Sequence, residues 1–166
     1  MGLRKILTDK EPALHKVCRP VENFDWRLHK LLDDMIDTLI DSGGVGLAAP
    51  QVGILRRVVV VDVGVHGDEP EILELVNPTL VETDGEQEGP EGCLSVPGKY
   101  GLVKRPYYAK VRAQDRHGEW FEAEGEELIA RCFCHELDHL DGILYTQVMD
   151  RFLTEEELAY DEEEEE

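Results

Sequence analysis

Between Asp25 and Ser42 the apolar residues recur at helical spacing: Leu28, Leu31, Leu32, Met35, Ile36, Leu39 and Ile40, with Asp33, Asp34, Asp37 and Asp41 between them. The pattern predicts an amphipathic helix with one face in a core, and Gly43-Gly44 stand where a left-handed cap would close it. After a glycine-rich loop, Gly43 to Gly53, the β-branched run Val58 to Val63 has the length and composition of a buried strand. Glu71 to Val76 and Thr79 to Thr83 predict short strands around Asn77-Pro78, and Asp84 to Gly92 reads as an acidic, glycine-containing loop. Tyr107 to Asp115 alternates polar and apolar positions, meets Arg116-His117-Gly118, and resumes at Trp120 to Ala123, a hairpin signal. From Glu126 to Leu140 the period is helical again, with Leu128, Ile129, Cys132, Phe133, Glu136 and Leu140 on one stripe; Asp141-Gly142 ends it.

The strands form a block between two helices and do not alternate with them, which favours an α+β fold over a doubly wound sheet. Mixed, mostly antiparallel β-structure is expected around the second helix, with the first helix amphipathic. Length agrees with one unit: 166 residues suit a single domain. We expect one domain over residues 1–152 and a solvated acidic tail over 153–166, because Glu155 to Glu157 and Asp161 to Glu166 supply nine of the 37 acidic residues.

Charge narrows the partners. With 17 basic against 37 acidic residues the formal charge is −20, which repels phosphate backbones, so direct nucleic-acid binding is not expected. No apolar window reaches the length of a membrane span and the start carries no signal-peptide pattern, so the expected location is cytoplasmic, with no membrane partner. Four cysteines in such a chain point to thiol or metal chemistry and not to a disulfide framework.

The chemistry gathers at His135-Glu136-Leu137-Asp138-His139, which fits HExxH. On a helix His135 and His139 lie one turn apart on the same face and can chelate one metal, with Glu136 beside it to take a proton from water. A catalytic site needs a third protein ligand, and two are available. One is a downstream acid among Glu155 to Glu157, as in thermolysin-like zinc peptidases. The other is Cys93 in Glu91-Gly92-Cys93-Leu94-Ser95. Spacing leaves both open. A thiolate with two imidazoles would by ligand type suit zinc. Cys132 shares the helical face of the two histidines, whereas Cys134 points elsewhere; both read as small buried hydrophobes. His15, His29, His66 and His117 lie in polar stretches with no partner motif.

Three segments in order, Gly44-Val45-Gly46-Leu47-Ala48-Ala49-Pro50-Gln51, Glu91-Gly92-Cys93-Leu94-Ser95 and His135-Glu136-Leu137-Asp138-His139, together resemble the peptide deformylase family. The resemblance extends from the leading helix to about Asp150. It implies a hydrolase that removes the N-formyl group from the initiator methionine of new polypeptides and releases formate. Cys93, His135 and His139 would ligate one metal, Fe2+ by family, with Zn2+, Ni2+ or Co2+ as substitutes. Glu136 would accept the proton of a metal-held water and return it to the leaving amine, while the Gln51 amide and the Leu94 backbone N–H would stabilise the developing oxyanion. Val45, Gly46 and Cys132 would border the methionine pocket, and Glu91 with Arg105 would brace the cysteine loop.

The partners implied are formyl-methionyl nascent peptides and a transient ribosome contact that does not use the acidic tail. Read alone, Gln51 and the loop glycines also fit purely structural roles. Two other functions remain at this point: a zinc endopeptidase with Glu155, Glu156 or Glu157 as third ligand, and a binding module whose metal only stabilises the fold.

Overall fold

The computed structural model describes residues 2–159, so the end of the acidic tail lies outside the described residues. Helix α1 (Trp26–Ser42) starts at Asp25, whose carboxylate accepts from the backbone N–H groups of Arg27 and Leu28, and stops at Gly43, with φ +71° and its N–H bonded to the carbonyls of Leu39 and Ile40. Both ends are thus capped as the residue types require.

Strands β1 (Gly46–Ala48), β2 (Val58–Asp62), β3 (Ile72–Asp84), β6 (Tyr108–Gln114) and β7 (Trp120–Glu126) form an antiparallel sheet in the order β1-β2-β3-β6-β7. The run of valines in β2 is explained by two covered faces. Val58 and Val60 join Leu28, Leu32, Met35 and Leu39 of α1, whereas Val59 and Val61 join Ala130, Cys132, Phe133 and Leu140 of α2 (Leu128–Leu140). Helices therefore pack on opposite sides of the sheet, and each fully buried leucine among them contributes about 1.5–3 kcal/mol. Mixed helix and antiparallel sheet is the expected fold class.

Besides β1 and a 3-10 turn (Ala49–Val52), which lie inside the segment Gly43 to Gly53 expected as a loop, two expectations change. The short strands around Asn77-Pro78 are one strand, β3, which continues through register shifts between Val76 and Thr79 and between Leu80 and Glu82. Asn77, at φ +52°, absorbs the irregularity and ties its amide to Val21 and Gln114. Second, the stretch expected as an acidic loop is mostly strand β4 (Gln87–Cys93), paired with β5 (Val96–Arg105). Only Gly85 and Glu86 turn between β3 and β4. Strand β4 lacks apolar alternation because Glu91, its most deeply buried residue, is charged and held by ion pairs.

A third core of Leu14, Val96, Val103, Leu144 and Tyr145 supports β5. Helix α2 enters directly from β7, two residues later than the pattern predicted, through Glu127 at φ +52° and ψ −115°. Leu128, expected on the buried stripe, is 43% exposed. Among the described residues no helix is long and apolar enough to cross a membrane.

Candidate active site

Because α2 runs under the sheet, its His135 and His139 are buried, one turn apart, with their Nε2 atoms 3.2 Å from each other. Cys93, at the end of β4, brings Sγ within 3.3 Å of His139 Nε2, and the three donor atoms all lie within 4.8 Å of one another. Glu157, the competing third ligand, is instead on the surface, where both its oxygens accept from Arg151 at 2.7 and 2.8 Å. The other tail candidates, Glu155 and Glu156, are exposed.

Glu91 organises this cluster. Its Oε2 accepts from Arg105 Nη2 and lies 2.7 Å from His135 Nδ1, and its Oε1 accepts from Arg105 Nε and Arg131 Nη1. Burial alone would raise the Glu91 carboxyl, but the hydrogen bonds from His135 and Arg105 outweigh it and hold it down to about 2. An ionised carboxylate only accepts, so His135 Nδ1 carries a proton; burial opposes charge on this ring, but Glu136, Cys93 and Glu91 outweigh it and hold His135 well above the ordinary histidine value, so a metal would have to displace the proton on Nε2, the atom that faces His139. Burial, with His135 next to it, pushes His139 well below the ordinary histidine value and keeps it a neutral imidazole. Its Nδ1 and the Oε1 of Glu136 are buried without a hydrogen-bond partner among the described residues. One sulfur and two imidazole nitrogens converging beside such groups fit a divalent transition metal.

Glu136 follows His135 and is 3% exposed; burial pushes its carboxyl up to about 7. A cavity of about 510 Å³ opens beside these groups, lined by Val45, Gly46, Gln51, Cys93, Leu94, Tyr100, Cys132, His135 and Glu136 among others. Cys134, as expected, is not part of this lining. The Gln51 Oε1 accepts from the Ala48 N–H at 2.9 Å, and Nε2 donates to Ser95 Oγ at 3.1 Å and points at Cys93 Sγ 3.5 Å away. Its bracing role is therefore real, and it also aims an amide donor at the sulfur. A Cβ on Gly46 would meet Cys132 Sγ at 2.6 Å and Glu136 Oε2 at 2.7 Å, so this glycine is required by the closeness of β1 to α2 as well as by its place in the cavity wall. A second depression of similar volume, at the N-terminal end of α1 and lined by Arg4, Arg19, Arg27 and Arg56, contains none of the metal donors.

Residues 3–155 match the family model described as polypeptide deformylase. The chain belongs to the polypeptide deformylase family. A protein named peptide deformylase from Lachnoclostridium phytofermentans is 54% identical over 166 residues, covering 100% of both chains. The crystal structure of a peptide deformylase from Legionella pneumophila is similar with a TM-score of 0.84 and 45% identity, covering 89% of this chain and 86% of that one. A peptide deformylase from Synechococcus elongatus in complex with actinonin gives a TM-score of 0.85 at 32% identity, covering 90% and 82%. This deformylase-family chain is accordingly an enzyme, a hydrolase that removes formyl groups, from a metal-dependent family.

The polypeptide deformylase site contains three residues that the sequence reading did not single out. Arg131 and Asp138 carry charges that look like surface charges until their burial and partners are seen: Arg131 holds Glu91, and Asp138 accepts from Arg105 at 2.8 Å. Tyr145 stacks on His135 with ring centroids 6.2 Å apart and donates to the Lys99 carbonyl. A helix-internal Arg one turn before a motif histidine was the available signal for the first.

Proposed function

We propose that this enzyme hydrolyses the formyl group of N-terminal formyl-methionine on newly made polypeptides and releases formate, with residues 1–152 as the catalytic unit and Cys93, His135 and His139 holding one divalent metal. Fe2+ is the proposed native ion, with Zn2+, Ni2+ or Co2+ able to replace it. When bound, the ion supplies a Lewis acid and lowers the pKa of water towards neutrality.

The protein groups have separable tasks. Glu136, whose carboxyl sits near neutrality, takes the proton of the attacking water and delivers it to the departing amine nitrogen, which would otherwise leave as an unstable anion. Gln51 Nε2, fixed through its own carbonyl to Ala48, and the Leu94 backbone N–H are the donors for the negative charge that develops on the formyl oxygen. Among the described residues strand β1 pairs only with β2, and β4 only with β5, which leaves one edge of each unpaired there, and residues of both line the cavity. An extended peptide entering there can complete backbone hydrogen bonds, which suits a linear amide substrate. Val45, Gly46 and Cys132 form the wall for the methionine side chain, whose flexible thioether suits an apolar pocket.

The observation that carries this reading is the meeting of Cys93, His135 and His139 donors beside the buried Glu136 in a deformylase-family chain. The test is formate release from a short formyl-methionyl peptide by anaerobically prepared, ferrous-loaded protein. Glu136→Ala should keep its metal and melting temperature and lose at least about 10²-fold in kcat. Internal peptide cleavage without formate, or a Glu136→Ala protein as active as the parent, would overturn the reading.

A further inference from the structure

Arg131 is an unusual residue to find in the wall of a substrate cavity: it is 7% exposed, and it spends Nη1 on Glu91 Oε1 at 2.9 Å and the Val103 carbonyl at 3.1 Å. It precedes His135 by one helical turn, so both side chains lie on the face of α2 that meets β4. They reach the same carboxylate through different oxygens, Arg131 through Oε1 and His135 through Oε2. Glu91 therefore fastens two points of α2 to β4. Cys93 lies two residues further along β4 and meets His139 one turn further along α2. The distance between the thiol and the histidine pair thus depends on how β4 sits against α2.

The cations on Glu91 differ. Arg105 divides itself, giving Nε and Nη2 to Glu91 and Nη1 to Asp138, so part of its charge is spent on that second carboxylate. Among the described residues Asp138 is the only other acid paired with these guanidinium groups, and Glu136, on the cavity side, forms no ion pair with either. Arg131 has no second carboxylate among the described residues and gives its one ion pair, at 2.9 Å, to a glutamate that is 4% exposed, adding a helix-side cation to those of Arg105 and His135. A buried carboxylate deprived of such a partner relaxes towards water or towards its remaining donors.

We propose that Arg131 is a positioning residue for the metal ligands: by anchoring Glu91 from the helix side it fixes the ring of His135 and the approach of Cys93. The inference rests on the metal site proposed above, and it assigns to Arg131 no contact with substrate.

The experiment compares the full-length parent with R131M, R131K and E91Q and the E91Q/R131M pair, using Zn2+ competition against a chromophoric chelator, the visible spectrum of the Co2+ form, and kcat and KM for formate release. R131M should weaken Zn2+ binding by about 10- to 100-fold, the range found when a partner of a metal-bound histidine is removed. It should shift the Co2+ bands and lower kcat with KM within about twofold. R131K, which keeps the cation, should recover part of the Zn2+ affinity. In E91Q, adding R131M should cost nothing further, because the effect runs through the carboxylate. A folded R131M with parental Zn2+ affinity and Co2+ spectrum overturns the proposal even if it melts lower. So does a rise in KM alone, which would make Arg131 a substrate contact. If R131M does not fold, R131K decides: parental Zn2+ affinity together with parental Co2+ bands would overturn the proposal, and weaker binding with shifted bands would support it. Should the parent release no formate, the functional reading fails while the Zn2+ comparison still judges Arg131.

Discussion

A methyl group on Gly46 would stand 2.6 Å from Cys132 Sγ and 2.7 Å from Glu136 Oε2, closer than Cβ atoms approach their neighbours, and both obstacles belong to a closely packed helix. Gly46→Ala should therefore cost about 1–3 kcal/mol in stability and, because Glu136 is one of the groups that must move, lower kcat at least tenfold. Gly118→Ala separates the two effects. Gly118 sits at φ +86° in the turn between β6 and β7, where any side chain is strained, so the substitution should cost about 1 kcal/mol with kcat retained. Thermal melting and the formate assay on the two variants check both halves; equal activity in the two would remove the steric argument. The thiols allow a second test at this scale. Burial pushes Cys18 and Cys134 up to about 11 and Cys132 well above the ordinary thiol value, whereas Cys93 is only half-buried. At pH 8 a thiol reagent should modify one cysteine in native metal-free protein, Cys93, and none when metal is bound, since a ligated sulfur is not free to attack. Denaturation should expose all four. Two fast-reacting thiols in the native protein would contradict the burial.

At the scale of elements, α2 begins under strain that its position explains. Glu127 must turn the chain from β7 into the helix and does so at φ +52° and ψ −115°, although its N–H finds the Tyr107 carbonyl and its own carbonyl accepts from Gln87. A glycine takes up positive φ without the Cβ clash, so Glu127→Gly should raise stability by about 1 kcal/mol, less the exposed hydrogen bond to the Tyr107 hydroxyl. Urea unfolding of the metal-bound protein measures it, and a lower midpoint would rule out the strain. The same junction shows what a sequence reveals. Helices α1 and α2, strand β2 and the β6–β7 hairpin were legible because each repeats apolar residues at its own period against a core. Strand β4 was not, since its buried position is Glu91 and glycines flank it, a pattern that belongs to a loop unless the ion pairs are known. The site divides the same way. HExxH pointed to two histidines and a neighbouring carboxylate on one helix, but only the fold shows that β4 brings Cys93 beside His139 while Glu157 pairs with Arg151 on the surface. Arg131 and Asp138 stayed hidden because burial, not residue type, makes their charges part of the site.

For the molecule as a whole, the decisive quantity is its charge of −20 set against a substrate that is made on a ribosome, whose RNA is a polyanion. Asp161 to Glu166, outside the described residues, contribute six of the 37 acids and add to the repulsion, and among the described residues the cavity lining ends at Glu136. Two measurements should then diverge when these six residues are deleted. Turnover of a free formyl-methionyl peptide should stay within about twofold of the parent, because the cavity-lining groups Gln51, Cys93, Leu94 and Glu136 are unchanged. Co-sedimentation with ribosomes should rise. The gap between parent and deletion should widen as salt is lowered, since screening extends over about 8 Å at 0.15 M but about 30 Å at 0.01 M. A protein that held RNA through basic groups would bind more tightly in low salt; this one should bind less, with the deletion moving it part of the way back. If removing Asp161 to Glu166 instead lowers co-sedimentation, the tail is itself a contact, and the partner it meets on the ribosome must be cationic protein and not RNA.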